Sequence, residues 1–435
     1  MNYKGILKAV KIAVLTVICS AVIGTLLLFA ATAIPQKYLK FNSKQAAEIL
    51  YKEGTYYNVF GEKKGHRLDN FTDGLMINTA YTSTGKWIDD ALQATQMRYK
   101  QKKDSKKTEN PMISFYRYIV KNEEGKYINR YPRYWHGYLS YLRPLLAVIS
   151  FPKIRGLNMV LQITAIMAVL YGLIKRNQHY LCIPFLVMWI SLSPAALFSS
   201  LQYIAGFYST MFACVLLVWY SDKLNVSTRG IIFELTGILL AYLDLLAYPL
   251  VSIGIPLILY ISMNCEKRTT FYEILKEISI YSIYWAVGYS GMWASKWIIG
   301  SLFTGQNIFL NAYKAAVVRT SHSSGEKMFT WLGVVKSNFD QMSTIAVIAA
   351  IIIAIVLFGI IILKNKRIFK NYPIQVCIFI VCCYPFIWYA IMMNHSGVHY
   401  WMTFRNLAIT IYGVISIISI CVYKEKSISL KTKKC

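Results

Sequence analysis

Two aspartates four residues apart, Asp69 and Asp73, stand in the run Asp-Asn-Phe-Thr-Asp. If this run is helical, the two carboxylates share one face and can serve as a general base or as one side of a metal site. The alternative is a structural role, because an acidic side chain in the first turn of a helix interacts favourably with the helix dipole. We predict a helix over Thr72–Tyr81, which leaves both roles open.

A second cluster combines aromatic, histidine and arginine side chains. His136 stands in the run Tyr134–Tyr138, and Arg143 follows within an apolar stretch just before Pro144. The guanidinium of Arg143 can hold a phosphate through two parallel hydrogen bonds. It can equally extend along apolar surface so that its charge reaches the membrane interface.

A third cluster lies in the connection before the last apolar segment, Asn394–Asn406, which holds His395, His399 and Arg405. The two histidines have the i, i+4 spacing that can bind a metal ion, although no carboxylate stands nearby in the sequence. Arg405 is expected at the level of the lipid headgroups, where it can contact a phosphate or anchor the chain.

Two charged residues fall near the ends of apolar segments, Asp244 and Lys296. Charge near hydrocarbon is costly, so such residues are candidates for function. In one interpretation they form a buried ion pair between two spans. In the other, Asp244 orients a sugar hydroxyl while Lys296 faces a lipid phosphate.

Apolar segments must position these residues. Hydrophobic residues make up 56% of the 435 residues, which is typical of a membrane protein. We predict an all-α, polytopic helical bundle in one membrane domain, residues 1–435, with about ten segments of bilayer length. They are Ile12–Ile34, Leu157–Leu173, Leu181–Leu197, Tyr203–Tyr220, Ile231–Ala247, Pro249–Met263, Ile278–Phe303, Ile345–Leu363, Ile374–Met393 and Leu407–Tyr423. The stretch Tyr138–Phe151 is too short to span and is interpreted as interfacial or re-entrant.

Lysine and arginine are concentrated in alternate connections, which places both termini in the cytoplasm. Residues 35–136 then form a large extracytoplasmic loop with short juxtamembrane helices, one of them Ser43–Lys52 with Ser43 as its N-cap. All the clusters above fall on this outer side. The net charge of +27 does not indicate a nucleic-acid partner, because the basic residues lie between apolar runs and not on one soluble face.

This layout resembles the GT-C class of membrane glycosyltransferases, which have many spans, a cytoplasmic N-terminus and a long first outer loop with acidic catalytic residues. The matching features are Asp69 and Asp73 in that loop and the basic residues on the outer side. Four segments are also similar to membrane proteins of bacterial surface-polysaccharide gene clusters. They are Tyr134–Leu145, Leu243–Pro249, Gly288–Trp297 and His399–Asn406.

The resemblance implies a transferase in the bacterial plasma membrane. It would move a sugar from a polyprenyl-phosphate-linked donor to a cell-envelope glycan or lipid acceptor, with Asp69 or Asp73 as the catalytic base. Substrate contacts are expected from His136, Arg143, Asp244, Lys296, His395, His399 and Arg405. The cofactor is unknown, with a divalent cation as the candidate. The alternative is a transporter, flippase or polymerase of lipid-linked polysaccharide.

Overall fold

The computed structural model describes residues 3–61, 64–101, 108–265, 270–345 and 372–432, together with 347–349, 351–353 and 356. The described chain is mostly helical, with two small two-stranded sheets. Six of its helices are long and apolar enough to cross a membrane, as expected of a membrane protein. They are Leu7–Thr32, Phe151–Lys175, Ile204–Lys223, Val226–Leu243, Pro373–Ile391 and Tyr400–Cys421.

Many of the helices are joined by short connections, whereas longer ones precede the helices that begin at Asn70, Pro111 and Leu139. Helices α1 to α6 cover Tyr3–Thr32, Gln36–Glu53, Asn70–Tyr81, Trp87–Gln93, Pro111–Ile119 and Leu139–Val148. Helices α7 to α13 cover Phe151–Lys175, Cys182–Ser191, Pro194–Ser199, Ile204–Tyr220, Val226–Leu243, Val251–Met263 and Phe271–Thr304. Helices α14 to α20 cover Ile308–Thr320, Trp331–Met342, Tyr372–Cys382, Tyr384–Ile391, Met393–Val398, Tyr400–Thr403 and Ala408–Thr432. Strand β1, Gln96–Arg98, pairs with β2, Tyr127–Asn129, and β3, Ser323–Ser324, pairs with β4, Lys327–Met328, both antiparallel.

Helix α2 is longer than the sequence suggests. It begins at Gln36, and Ser43 lies buried in its middle instead of capping its start. The prediction of Ser43 as N-cap is therefore wrong. Leu39, Ser43 and Leu50 recur at helical spacing on the buried face, so burial of that face carries the helix past the local capping signal.

Helices α11 and α13 pack closely along their length. An added Cβ at Gly237 would lie 2.3 Å from the main-chain oxygen of Trp285, and one at Gly288 would lie 2.1 Å from that of Glu234. Glycine at both positions lets the two backbones approach, as is common between helices in membranes.

Several predicted spans correspond to shorter or interrupted helices. The segment Leu181–Leu197 forms α8 and α9, which are separated at Ser193, a residue with φ 64°. Pro249–Met263 forms α12, which has 13 residues. Helix α13 has 34 residues but is not among the six helices that are long and apolar enough to cross a membrane. Most of the predicted span Ile345–Leu363 lies outside the described residues.

Candidate functional site

Asp69 stands at the N-terminus of α3. Its Oδ1 accepts a hydrogen bond from the Thr72 main-chain N–H at 3.2 Å, and its Oδ2 accepts one from the Thr72 hydroxyl at 2.8 Å. The capping role is therefore confirmed. A carboxylate has about four acceptor positions, so further positions remain for a ligand. Burial raises the pKa of Asp69 above its ordinary value, against the opposing effect of the Thr72 hydrogen bonds.

Asp73 has a different environment. Its carboxylate accepts hydrogen bonds from the Ser200 hydroxyl at 3.0 Å and from the main-chain N–H groups of Leu201 and Gln202 at 3.0 and 2.9 Å. Burial raises the pKa of Asp73 to about 7. Asp73 thus fixes the turn between α9 and α10 to α3, and it lines neither of the two cavities described next.

Two cavities share a wall formed by Arg319, His395 and His399. The larger one has a volume of about 420 Å³ and is also lined by Arg133, Asn311, Lys314, Ala315, Val318 and Asn394. The smaller one has a volume of about 170 Å³ and is also lined by Tyr56, Asp69, Phe71, Thr72, Leu75, Tyr131, Gln202, Leu245, Trp401 and Met402. One cavity is therefore basic, and the other contains the carboxylate of Asp69.

His395 and His399 lie close together in the shared wall, with ring centroids 5.0 Å apart. The Nε2 of His395 lies 2.8 Å from the Leu246 carbonyl, so this nitrogen carries the proton and donates it to that oxygen. The Nδ1 atoms of both histidines are buried and have no hydrogen-bond partner in the described part of the chain. Burial lowers the pKa of His395 well below its ordinary value and that of His399 to about 4. Both rings are therefore neutral near pH 7.

Arg319, Arg133 and Lys314 were not singled out in the sequence as site residues. Arg319 and Lys314 lie on α14, in an outer connection of the predicted topology. Arg133 stands one residue before the Tyr134–Tyr138 run and lies over the ring of Tyr131 at 4.3 Å. None of the three cations forms an ion pair with a described carboxylate. The sequence signal that could have identified these three residues is the excess of basic over acidic residues in the outer connections.

Arg143 is held by the protein itself. Its guanidinium donates to the main-chain carbonyls of Ala31 at 2.8 Å, Thr32 at 3.3 Å and Ile34 at 2.6 Å, and also to that of Ala80. Four of its five N–H groups are thus occupied, and the residue is 2% exposed. Arg143 joins the ends of α1 and α3, so the phosphate contact expected for it is corrected to a structural role.

His136 is also committed to the fold. Its Nε2 donates to the Tyr131 carbonyl at 2.8 Å, which leaves Nδ1 to accept from the Tyr138 hydroxyl at 2.9 Å. Burial lowers the pKa of His136 to about 3, and the charge of Lys296 contributes. The neutral ring fixes the entry to α6 and lines neither cavity.

The ion pair considered for Asp244 and Lys296 is absent from the described structure. Asp244 caps the turn after α11, where its Oδ2 accepts from the Ala247 N–H at 2.9 Å, and burial raises its pKa to about 7. Lys296 donates to the Leu92 carbonyl at 2.7 Å and lies 5.6 Å from the centre of the Trp135 ring. A carbonyl and an aromatic face thus replace the expected carboxylate.

Arg405 is fully buried within the protein. It donates to the Leu192 carbonyl at 3.0 Å and to the Trp401 carbonyl at 3.2 Å, and it lies over the Tyr203 ring at 3.8 Å. The expected phosphate contact of Arg405 is corrected to a role in packing the start of the last long helix.

The donor set around the cavities fits a metal ion poorly. No group of three His, Cys, Asp or Glu side chains among the described residues could hold one. His395 uses one nitrogen for a main-chain carbonyl, and the Arg319 guanidinium lines the same wall. A cation would face this positive charge, so the arrangement favours an anion over the divalent cation considered from the sequence.

Comparison with protein-family models, with curated protein sequences and with solved structures found no match for this chain. The fold defines a mostly helical protein with several helices able to cross a membrane. The two cavities are therefore the features that bear on the function of the protein.

Proposed function

We propose that the chain is a membrane glycosyltransferase that transfers a sugar from a polyprenyl-phosphate-linked donor to a glycan or lipid acceptor on the extracytoplasmic face. One observation carries the proposal. A basic cavity and a cavity containing a carboxylate share Arg319, His395 and His399. Such a pair offers separate places for a phosphate and for the hydroxyl that attacks beside it.

The basic cavity suits the phosphate of the donor. Arg133, Lys314 and Arg319 line it, and none is neutralised by a described carboxylate. A guanidinium presents paired N–H groups that match phosphate oxygens, and charge-assisted hydrogen bonds of this kind are strong. The same groups stabilise the negative charge that develops on the departing phosphate.

Asp69 is the proposed general base. It lines the smaller cavity and keeps acceptor positions free, whereas three donors occupy Asp73. A bond forms between the acceptor oxygen and C1 of the sugar while the C1–O bond to the phosphate breaks. The proton of the acceptor hydroxyl goes to Asp69, and the bonding pair leaves with the lipid phosphate. Burial raises the pKa of Asp69 above its ordinary value, which makes its carboxylate a stronger base.

The convergence of the site residues also supports a topology with ten spans and both termini on one side of the membrane. Asp69, Leu245, Arg319 and His395 all line the smaller cavity. With that cavity on the outer side, as proposed, the chain crosses the membrane an even number of times between successive members. Helices α7, α10 and α11 are long enough to span, which requires α8 and α9 together to supply a fourth crossing.

The same requirement for an even number of crossings applies to the rest of the chain. Helix α13, with 34 residues, is about 51 Å long and exceeds a bilayer core of about 30 Å. The proposal then assigns one further crossing to α12, whose 13 residues reach across a bilayer core only together with the residues that flank them. Likewise the span Pro373–Ile391 requires one more crossing after Arg319, where Ile345–Leu363 is predicted. With α1 and the last helix the total is about ten spans.

Replacement of Arg319 by glutamine tests the phosphate site. In nanodiscs, the parent is expected to bind a fluorescent polyprenyl phosphate more tightly than the matching polyprenyl alcohol. Arg319→Gln should weaken phosphate binding by roughly 10- to 150-fold, the loss of a charge-assisted contact, and leave alcohol binding unchanged. Arg130→Gln removes an exposed charge from the same side and is the matched control.

A second measurement separates transfer from transport. The purified chain is placed in vesicles containing lipid-linked glycans from bacterial membranes, and new glycosidic bonds are measured by mass spectrometry. Bond formation that depends on Arg319 is expected. If the glycans instead cross the vesicle membrane without any new bond, the chain is a transporter and the proposal fails.

A further inference from the structure

Five buried polar atoms near Arg319 form no well-aligned hydrogen bond in the described part of the chain, although the Tyr289 hydroxyl faces the Trp293 indole and the Tyr134 hydroxyl faces Tyr131. The five atoms are the hydroxyl oxygens of Tyr134 and Tyr289, Nε1 of Trp293, Oδ1 of Asp244 and Nδ1 of His395. A buried polar group that lacks a partner costs about 1–3 kcal/mol, so such atoms are uncommon without a reason. Other such atoms occur in the chain, but ring contacts link Tyr134, Tyr289 and Trp293. Asp244 lies within electrostatic range of Tyr289, and His395 within that of Arg319.

Their proximity is visible in the ring contacts. The Trp293 ring lies 5.1 Å from the Tyr134 ring and 6.1 Å from the Tyr289 ring, between centroids. Arg319 lies 5.4 Å from the centre of the Tyr134 ring. Asp244 and Arg319 both lie within electrostatic range of the Tyr289 hydroxyl.

The group also borders the smaller cavity. His395 lines that cavity directly, as does Leu245, the chain neighbour of Asp244. Tyr131 lines it too and contacts the Tyr134 ring with centroids 5.3 Å apart. A ligand whose phosphate contacts Arg319 would therefore bring its adjoining atoms to these polar groups.

The chemistry of the group fits a sugar ring. Two hydroxyls, an indole N–H, a carboxyl oxygen and an imidazole nitrogen supply both donors and acceptors, as the hydroxyls of a sugar require. The aromatic rings of Tyr134, Tyr289 and Trp293 supply apolar surface for its C–H groups. A few convergent polar atoms among aromatic side chains are typical of a small-molecule site.

We propose that Tyr134, Tyr289, Trp293, Asp244 and His395 form a subsite for the hydroxyl groups of the sugar whose phosphate contacts Arg319, so that the preferred ligand is a glycosyl phosphate. This inference rests on the proposed function, since it places the sugar beside the proposed phosphate site. It assigns sugar recognition to groups that the fold leaves without well-aligned hydrogen bonds.

Removal of a single hydroxyl tests the subsite. The full-length chain in nanodiscs is titrated with inorganic phosphate and with a panel of hexose and N-acetylhexosamine 1-phosphates. At least one glycosyl phosphate is expected to bind at least about tenfold tighter than inorganic phosphate, the gain from two or more added hydrogen bonds. Tyr289→Phe should weaken that glycosyl phosphate by roughly 2- to 12-fold, the effect of one lost hydrogen bond, and leave phosphate binding unchanged.

Stability supplies the second readout. Because the Tyr289 hydroxyl faces the Trp293 indole without forming a well-aligned hydrogen bond, its removal should leave the thermal unfolding midpoint unchanged or raise it. Tyr412→Phe is the matched control, since its buried hydroxyl also lacks a well-aligned hydrogen bond but its ring packs against Phe185, away from the cavities. That variant should bind both ligands like the parent.

Three results would overturn the subsite. One is that no glycosyl phosphate binds tighter than inorganic phosphate, as expected if the five atoms hold water alone. Another is that Tyr289→Phe leaves glycosyl phosphate binding unchanged. The third is an equal loss of both ligands in that variant. If phosphate binding still depends on Arg319 in these cases, the proposed phosphate site stands while the sugar subsite fails. If phosphate binding ignores Arg319, the proposed function fails with it.

Discussion

Asp69 caps a helix and is also the proposed base, and the substitution Asp69→Asn separates the two roles. Asparagine is as good an N-cap as aspartate, and its Oδ1 can keep the hydrogen bond from the Thr72 N–H. In the parent the Thr72 hydroxyl donates to the Asp69 carboxylate. In the variant the asparagine amide can donate to that hydroxyl instead. Because a buried charge also disappears, we expect stability to change by less than about 1 kcal/mol.

The same substitution removes the basicity of the side chain. A positioned general base contributes about 10²- to 10⁴-fold to the rate, so Asp69→Asn should lower transfer by at least two orders of magnitude. Binding of polyprenyl phosphate should stay at the parental level, because the basic cavity is unchanged. The assay measures transfer from lipid-linked donor, donor binding and thermal unfolding on the same preparation.

Asp73→Asn is the control, since Asp73 is also buried but lines neither cavity. Three donors surround its carboxylate. If the amide oxygen keeps the Ser200 and Gln202 contacts, the amide nitrogen must face the Leu201 N–H, donor against donor. An unsatisfied buried donor costs about 1–3 kcal/mol, so this variant should lose stability while transfer per folded molecule remains.

Parental transfer rates in Asp69→Asn would contradict the role of Asp69 as general base. The reverse pattern, in which Asp73→Asn abolishes transfer without loss of stability, would contradict it as well. In that case the fixed carboxylate at the α9–α10 turn, and not the cap of α3, is the base.

Two further predictions concern stability. Gly288→Ala should destabilise the chain by about 1–3 kcal/mol, because its Cβ would lie 2.1 Å from the Glu234 carbonyl oxygen. Gly156→Ala, on α7 with no atom within 4 Å, should be neutral or stabilising, and equal unfolding midpoints for the two would contradict the close packing. His136 has its pKa depressed to about 3, so its contribution is present above its ordinary pKa of 6.5 and is lost as pH falls toward 3. His136→Gln should therefore flatten the stability profile by about 1.4 kcal/mol per pH unit in that window, measured by denaturant unfolding, and an unchanged slope would contradict it.

Local features of the fold were predictable from the sequence because their causes are local. The helix after Asp69 follows from an acidic residue just before an apolar run, and its capping bonds span three residues. Long apolar segments likewise identify most of the long helices, since burial in a membrane needs length and composition alone.

The roles of the arginines were not predictable, because distant parts of the chain decide them. The apolar surroundings of Arg143 in the sequence suggested a binding role. Its guanidinium instead donates to the carbonyls of Ala31 and Ala80, which are far away in sequence. Arg319 was not singled out in the sequence, and only the packing of α14 places it in one wall with His395 and His399. Lys296 likewise donates to the carbonyl of Leu92, a residue of the predicted outer loop, and does not pair with Asp244.

The contrast between buried polar groups also bears on where the function lies. Around Arg143 the protein supplies almost every hydrogen bond, which is what folding alone favours. Around Arg319, buried donors and acceptors lack well-aligned partners, at a cost of about 1–3 kcal/mol for each group. The position of these groups next to unpaired cations and to the free acceptor positions of Asp69 is accounted for if a polar, phosphorylated ligand supplies the missing partners.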